Sequence, residues 1–369
     1  MKKFVFVLLA LAVTFLIAAC SDETTGGEGN TNENSSNDAS VSSDVSDLFD
    51  PANYVSDKDK SEWMIGVVTK DNTAAWFQRM EIGVNEFGEE MGINVIQRGP
   101  ANADPASQVQ VIDDLIAQGV DAIAVVPIDP GAIEASLENA LSQGIVVVTH
   151  EASNQVNTLY DVEAFTSEDF GSTIMDALAR EMGEEGKYAM MVGYTTSTTH
   201  MEYASAQKDR QLEAYPNMEL INGGQVPSAE SEESVSTSYE RAKEILNVHP
   251  DLKGFTGVAS TDSPGIANAL EELGLADKVA VVGVGTPNEF SPYINSGTIN
   301  RLLLWDPKDA GYAMVTVAAK ILAGEEISEG MDLGVTGYEN VQIFEGANKT
   351  IIGNAPLDIS ADNIDDFDF

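Results

Sequence analysis

The stretch WMIGVVTKDNTAAWFQRMEIGVNEFGEEMGINVIQR, residues 63–98, contains the pattern that decides the fold. It begins with a continuous apolar run over residues 64–68 and continues with apolar side chains at steps of three and four. Gly92 ends this helical pattern, and a second apolar run follows over residues 93–96. Such an order predicts a strand, a helix and a second strand, which together form one βαβ unit. The loop over residues 69–76 would lie at the carboxyl end of the first strand, where open parallel sheets bind ligands.

The same rhythm continues through most of the chain. Predicted strands, one of them over residues 220–225, alternate with helical patterns of about 10–15 residues. This alternation implies parallel sheets covered by helices on both faces. Roughly 310 residues share the pattern, which is more than one core usually organises. The predicted fold class is therefore α/β, with two doubly wound Rossmann-like lobes whose parallel sheets are joined by a hinge.

The first 60 residues differ in composition from the rest. Two lysines precede a short apolar segment over residues 4–19, and small residues then lead to Cys20, the one cysteine of the chain. These features describe a secretory signal, because the segment is short for a membrane span. Residues 20–60 are dominated by small polar and acidic residues, which cannot bury enough surface to offset the entropy of ordering. We predict a signal peptide over residues 1–19 and a disordered tether over residues 20–60.

The end of the apolar segment, Ile-Ala-Ala-Cys at residues 17–20, resembles the lipobox of bacterial lipoproteins. In those proteins the cysteine becomes the lipidated first residue after cleavage. The resemblance implies that Cys20 anchors the chain to the outside of the cell membrane. An uncleaved anchor helix, or an ordinary signal with a chance cysteine, is the alternative.

The charge of the chain is strongly negative. There are 60 acidic and 19 basic residues, and the formal net charge is −41. Nucleic acids and anionic membrane surfaces are therefore poor partners. Such acidity is typical of a halophile protein made for high salt, where screening relieves the self-repulsion. An acidic secreted protein from an ordinary habitat is the alternative.

Motifs of common catalytic and cofactor sites are absent from the sequence. No G-x-G-x-x-G or Walker loop follows the first strand, and no G-x-S-x-G elbow occurs. The three histidines, His150, His200 and His249, lack the spacing of a zinc helix. Acidic residues are so abundant that a chance carboxylate pair is weak evidence for a glycosidase. We therefore predict no catalytic residue, no metal and no cofactor.

The segment over residues 279–322 resembles a known family. It reads VAVVGVGTPNEFSPYINSGTINRLLLWDPKDAGYAMVTVAAKIL, with Thr286-Pro287, Pro292-Tyr293, Gly297-Thr298 and Trp305-Asp306-Pro307 as its matching features. These resemble the corresponding features of bacterial type 1 periplasmic sugar-binding proteins, nearest to the branch of the rhamnose and autoinducer-2 receptors. The resemblance extends from about residue 63 to the end of the chain.

This resemblance implies a receptor whose two lobes close around a ligand and deliver it to an ABC permease. Three crossings would form the hinge. The first lobe would comprise residues 61–165 plus about 306–335. The second would comprise residues 166–305 plus about 336–369, including the returning tail. The protein would act as a monomer. A receptor that signals instead of serving uptake, and a secreted hydrolase with the same fold, are the alternatives.

The same resemblance names candidate ligand contacts in the first lobe. Sugar hydroxyls are bound by polar side chains and sugar C–H faces by aromatic rings. Trp76 and Phe77 match an aromatic pair, of which we expect one to line the cleft and one to be buried. Lys70 matches a ligand-contacting lysine of autoinducer-2 receptors, with a solvated loop lysine as the alternative. Glu151 takes the place of an aspartate that grips hydroxyls, and His150 beside it either contacts the ligand or packs.

Further candidates come from the second lobe and the hinge. His200 lies where autoinducer-2 receptors have polar ligand contacts, with a surface position as the alternative. Asp262 matches an aspartate of ribose-type binders, and it could equally cap its own helix. Trp305 and Asp306 at a hinge could supply a stacking face and an acceptor. The ligand itself stays open among rhamnose, another pentose or hexose, autoinducer-2 and a polyol.

Overall fold

The computed structural model describes residues 48–346 and 348–369. The predicted signal peptide, Cys20 and the tether up to residue 47 lie outside the described residues. In chain order the elements are β1 (Met64–Val68), α1 (Ala75–Met91), β2 (Asn94–Arg98), α2 (Pro105–Gln118), β3 (Ala122–Val125), α3 (Pro130–Ser142), β4 (Val146–His150), β5 (Tyr160–Glu163), α4 (Ser167–Met182), β6 (Gly186–Val192), α5 (Thr198–Ala214), β7 (Met218–Leu220), α6 (Ile221–Gly224), β8 (Ala229–Glu230), α7 (Val235–Val248), β9 (Leu252–Gly257), α8 (Asp262–Leu273), β10 (Ala280–Gly283), α9 (Pro287–Ser296), β11 (Arg301–Leu304), α10 (Pro307–Leu322), β12 (Gln342–Glu345), β13 (Lys349–Ile352) and β14 (Leu357–Ile359).

The first lobe is built on a sheet with the strand order β12-β13-β5-β4-β3-β1-β2. Strand β1 lies between β2 and β3 and runs parallel to both, with Ile65 opposite Val95 and Ala122. Ile65 and its neighbours on β3 are fully buried because helices cover both faces of this part of the sheet. The carboxyl ends of β1, β3 and β4 therefore meet at one edge of the sheet.

The second lobe is built on a sheet with the strand order β14-β11-β10-β9-β6-β7, and β8 pairs with β6. Strand β9 runs parallel to β6 and β10. The prediction of two doubly wound α/β lobes is thus confirmed, with one difference in detail. Each sheet also has an antiparallel pair, β12 with β13 and β11 with β14. Each pair includes a strand of the C-terminal tail, in which no long helix connects successive strands by a parallel crossover.

The chain passes between the sheets at residues 164–166, 305–306 and 353–356. The structure corrects the prediction that residues of about 336–369 join the second lobe. Strand β13 pairs with β5 of the first sheet, and only the segment from residue 357 returns to the second. The reason is that Thr350, Ile351 and Ile352 complete the free side of β5, where Ile351 is fully buried.

The last residues of the predicted tether pack onto the first lobe. Tyr54 is buried, and its hydroxyl donates a 2.6 Å hydrogen bond to the carbonyl of Leu48. The amide of Ser56 donates to the carbonyl of Leu322 at the end of α10. The tether prediction is therefore corrected over residues 48–60, because a few apolar side chains in that stretch find a partner surface on the lobe.

One predicted strand is mostly replaced by a turn. The strand predicted over residues 220–225 is observed as β7, which ends at Leu220, and the short turn α6. Asn222 and Gly223 adopt positive φ values of 58° and 68°. Asparagine and glycine tolerate this left-handed region better than other residues, so the chain turns where a longer strand was predicted.

Within residues 48–346 and 348–369, no helix has both the length and the apolar character needed to cross a membrane.

Candidate ligand-binding site

A small cavity lies between the carboxyl ends of the two sheets. It is lined by Lys70, Trp76, Phe77, Glu151, His200, Glu233, Val258, Ala259, Ser260, Val284 and Trp305. Six of these are residues that the sequence predicted as ligand contacts. The cavity has a volume of about 20 Å³, which is room for one or two water molecules. A monosaccharide could enter only if the lobes moved apart.

The buried pair of Lys70 and Glu151 forms the first-lobe wall. The ammonium of Lys70 lies 2.6 Å from Oε2 of Glu151, and both side chains are at most 5% exposed. Burial would lower the pKa of Lys70, but the attraction of Glu151 and Glu233 outweighs burial and raises it. Burial would raise the pKa of Glu151, yet Lys70 holds it below its usual value. Both groups are therefore charged at neutral pH.

Two structural devices hold this pair in place. Gln108, which is fully buried, donates from its side-chain amide to the carbonyls of Thr69 and Val126. These bonds tie the end of β1, and hence Lys70, to the end of β3. Glu151 has a φ of 59°, in the left-handed region that side chains other than glycine seldom adopt. This backbone conformation directs the Glu151 carboxylate back to Lys70.

The second lobe contributes Glu233 and His200 to the opposite wall. Oε1 of Glu233 lies 3.7 Å from the Lys70 ammonium and 4.0 Å from Nδ1 of His200. Both distances exceed that of a hydrogen bond. Oε1 of Glu233 and Nδ1 of His200 have no hydrogen-bond partner among the described residues. Burial, followed by the Lys70 charge, lowers the pKa of His200 to about 3, so its ring is neutral. Burial, only partly offset by Lys70, raises the pKa of Glu233.

Aromatic rings close the cavity on the hinge side. Trp76 and Trp305 meet edge to face with ring centroids 4.8 Å apart. Trp305 also packs against Phe165, at 5.3 Å, where the chain first crosses between the lobes. We expected only one of Trp76 and Phe77 to line the cleft, but both border the cavity and both are buried. His150 is packed behind them, with Nδ1 bonded to the carbonyl of Val162.

The structure does not bring Asp262 and Asp306 to the cavity wall. Asp262 is fully buried, and its carboxylate accepts hydrogen bonds from the amides of Val258 and Ala259, which do line the cavity. Asp306 caps α10 through the amide of Lys308 and forms a two-bonded ion pair with Arg79 at 2.6 and 2.9 Å. Both aspartates therefore hold wall residues or hinge segments in position.

Glu233 is the charged wall residue that the sequence analysis missed. It belongs to the run Ser-Glu-Glu-Ser over residues 231–234, between β8 and α7. Glutamates are so frequent in this chain that one more before a helix attracts no notice. The available signal was its position, because the run follows a strand and precedes a helix at the edge where ligands bind.

Direct contacts join the lobes around this cavity. The Tyr194 hydroxyl donates a 2.8 Å hydrogen bond from the second lobe to the carbonyl of Ala103. Ser153 of the first lobe donates to Glu202 on α5 at 2.9 Å. Together with the ion pair between Lys70 and Glu233, these bonds hold the lobes in a closed arrangement.

The described residues contain a larger groove, of about 790 Å³, away from this edge. It runs between α4, α5 and the β12–β13 hairpin, and its wall includes Glu163, Glu202 and Phe344. The small cavity is the better candidate site because it joins the carboxyl ends of both sheets and concentrates buried polar groups. No cluster of three or more potential metal ligands occurs within the described part of the chain.

Two α/β lobes that meet at their strand ends around a polar and aromatic cavity define the class of hinged solute-binding proteins. A family model described as a periplasmic binding protein domain matches residues 65–326, well over half of the chain. The chain therefore belongs to the periplasmic binding protein family, among the type 1 sugar-binding proteins of ABC transporters. This confirms the family that residues 279–322 indicated.

Individual relatives agree with this assignment. The ribose import binding protein RbsB of Bacillus subtilis is 24% identical over 339 residues, which are 89% of this chain and 96% of that protein. The D-ribose/D-allose-binding protein of Pseudomonas aeruginosa is 24% identical over 278 residues, which are 71% and 82% of the two chains. Family members bind small sugars outside the cytoplasm and are not enzymes, so the hydrolase alternative is removed.

Solved structures share the fold. LsrB from Clostridium saccharobutylicum, in complex with AI-2, superposes with a TM-score of 0.75 at 23% identity and covers 83% of this chain and 100% of its own. A solute-binding protein from Clostridium phytofermentas, with bound L-rhamnose, has a TM-score of 0.75 at 23% identity. It covers 83% of this chain and 98% of its own.

Proposed function

We propose that this protein is a lipid-anchored, extracytoplasmic receptor that captures a monosaccharide or sugar-like ligand and delivers it to an ABC importer. The observation that carries the proposal is the cavity. Six residues chosen from the sequence, which are spread from Lys70 to Trp305, line one small space between the strand ends of both lobes. Cys20, as the lipidated residue, is proposed from the sequence pattern at residues 17–20.

Ligand capture would proceed by movement of the lobes. In the closed arrangement the cavity is too small for a sugar, and Lys70 and Glu151 satisfy each other. An open form would expose Lys70 and Glu151 on one lobe and His200 on the other. A ligand that contacts both lobes binds best when they close around it, less tightly than in the empty form, and it therefore shifts the population towards closure. The closed form would then be the form that the permease recognises.

The wall chemistry supports a hydroxyl-rich ligand. Lys70 and Glu151 together offer donors and acceptors to neighbouring hydroxyls. Trp76, Phe77 and Trp305 offer apolar faces and edges for the C–H surface of a sugar ring. Asp262 and Asp306 are proposed to act from behind this wall, by holding the β9–α8 turn and the hinge.

A thermal-shift screen tests this proposal. The purified chain without its signal peptide would be mixed with L-rhamnose, D-ribose, D-allose, D-galactose, D-arabinose, xylitol and autoinducer-2. A ligand that binds only the native state raises the melting temperature. We expect at least one of these compounds to do so, and to reduce the radius of gyration as the lobes close. If none of them changes the melting temperature, the proposed function is wrong.

A matched pair of variants tests the site. His200→Leu should weaken the affinity for the compound found in the screen at least tenfold. Little stability should be lost, because Nδ1 of the neutral His200 ring has no hydrogen-bond partner to lose. His249→Leu is the control, since His249 is half-buried at the end of α7 and away from the cavity. Equal ligand affinity in both variants would remove His200 from the site.

A signalling receptor is the second candidate. It is favoured by the similarity to a structure that holds AI-2 and by Lys70, the residue that resembles the lysine of autoinducer-2 receptors. Uptake of labelled ligand by cells that carry the receptor and its neighbouring permease would distinguish the two. Transport supports the importer, and a transcriptional response without transport supports the signalling receptor.

A further inference from the structure

Glu233 is held at the cavity by an unusual backbone. It lies between β8 and α7, and both it and Glu232 have positive φ values, 52° and 56°. Side chains other than glycine rarely occupy this region, and two such residues in a row persist only where their surroundings impose them. The amide of Glu232 donates to the carbonyl of Gly193, and the missing side chain of Gly193 leaves room for the Glu233 carboxylate.

The charges around the cavity do not balance. Lys70 is the one lysine or arginine among the residues that line it, and its ammonium is already bonded to Glu151 at 2.6 Å. Glu233 is a second carboxylate at 3.7 Å from the same ammonium. Two acidic groups therefore share one cation, and the wall favours groups that donate hydrogen bonds over groups that carry negative charge.

Two facing polar atoms also lack partners. Oε1 of Glu233 and Nδ1 of His200 are 4.0 Å apart, both are buried, and neither has a hydrogen bond within the described residues. Buried polar atoms of native proteins are normally satisfied, and exceptions often mark the place of a ligand group. A hydroxyl or ammonium group that enters this corner can donate to the Glu233 carboxylate and contact His200 as well.

We propose that Glu233 is the residue that selects ligands by charge, and that with His200 it forms a subsite for a hydrogen-bond donor of a neutral or amino-bearing sugar. This inference rests on the proposed function, because it assigns a role within the same cleft. A sugar acid would place its carboxylate against Glu233 and Glu151, and repulsion in this buried site would oppose its binding. The cleft therefore rejects aldonates and uronates.

The test compares Glu233→Gln with Glu232→Gln. Glutamine keeps the size of the side chain and removes its charge, and Glu232 is an exposed neighbour with the same backbone conformation. Calorimetric titrations would use D-ribose with D-ribonate, and D-galactose with D-galactosamine and D-galacturonate, together with any hit of the thermal-shift screen. For the wild type and Glu232→Gln we expect the neutral or amino sugar to bind at least tenfold more tightly than the acid.

In Glu233→Gln the neutral sugar should bind at least tenfold more weakly, and the preference over the sugar acid should shrink by a similar factor. Glu233→Gly provides a second variant. Glycine relieves the backbone strain, so its melting temperature should equal or exceed that of the wild type while the ligand is lost.

Three outcomes would overturn the inference. They are wild-type binding of a sugar acid as tightly as of its neutral counterpart, unchanged titrations for Glu233→Gln, and equal effects of the two glutamine variants. If a sugar binds the wild type in any of these cases, the proposed function stands and only the role of Glu233 fails. If no sugar binds the wild type, the proposed function fails and this inference fails with it.

Discussion

Asp262 shows how a site residue identified from its sequence position can act from behind the wall. Its carboxylate is fully buried and accepts the amides of Val258 and Ala259. These two residues border the cavity, so Asp262 shapes the wall through the β9–α8 turn. Burial raises the pKa of Asp262 to about 7, well above the usual value of an aspartate.

This pKa shift predicts a pH dependence of stability. In the folded protein Asp262 binds its proton more tightly than in the unfolded chain. Its contribution to the free energy of unfolding is therefore complete below about pH 4 and is lost as the pH rises to about 7. Asp262→Asn lacks this titrating group and does not suffer the loss. Between pH 5 and pH 8, its free energy of unfolding should therefore rise by about 3 kcal/mol relative to that of the wild type.

Urea unfolding of both proteins at several pH values measures this difference. Asp104→Asn is the control, because the pKa of Asp104 is shifted in the opposite direction. Asp104 caps α2, and the hydrogen bonds from Ser107 lower the pKa of its carboxylate. Relative to that variant, the wild type should gain stability as the pH rises. Parallel pH profiles of the wild type and Asp262→Asn would show that Asp262 does not titrate as proposed.

At the level of elements, the first lobe depends on the contact between α1 and α10, which are more than 200 residues apart in the chain. Two glycines allow the helices to approach closely. A Cβ on Gly83 of α1 would lie 1.9 Å from the carbonyl oxygen of Lys308, and one on Gly311 of α10 would lie 2.7 Å from Cγ of Met80. The contact fixes the start of α10, and hence the position of Trp305 and Asp306 at the hinge.

Gly83→Ala should therefore destabilise the protein by about 2–3 kcal/mol or more, because the backbone of α10 cannot retreat without moving the helix. Ile82→Ala is the matched control one position earlier on α1. Ile82 is 51% exposed, so its truncation should change the free energy of unfolding by about 0.5 kcal/mol at most. Chemical unfolding of both variants measures the difference, and similar small effects would mean that the two helices separate readily.

For the whole molecule, charge is the dominant property. A net charge of −41 implies strong self-repulsion of the folded chain at low salt. We expect an increase of NaCl from about 0.1 M to about 2 M to raise the melting temperature at pH 7.5, since the Debye length falls from about 10 Å to less than 3 Å.

The same titration near pH 4.5 is the control for this salt effect. Many carboxylates are protonated there, so the self-repulsion and the benefit of salt should both shrink. A melting temperature that is insensitive to NaCl at pH 7.5 would contradict a protein adapted to high salt. It would favour the alternative of an acidic secreted protein from an ordinary habitat.

Local patterns were sufficient for much of the fold and for part of the site. The period of apolar residues predicted most strands and helices, because each is stabilised by the face that it buries. Candidate residues at the carboxyl ends of strands lie at one cavity, as Lys70 and Glu151 illustrate, because parallel sheets bring those ends together. Family resemblance then selected the particular side chains.

Contacts between distant segments could not be read from such patterns. Glu233 faces Lys70 across the lobes, Asp306 turns to Arg79 instead of the cavity, and β13 completes the first sheet. Each of these contacts depends on which distant surfaces pack together. The local sequence of a segment does not specify that partner. The alternation of strands and helices thus specifies two lobes and the strand ends at which a ligand can bind. Long-range packing and charge pairing select the side chains that face the space between the lobes.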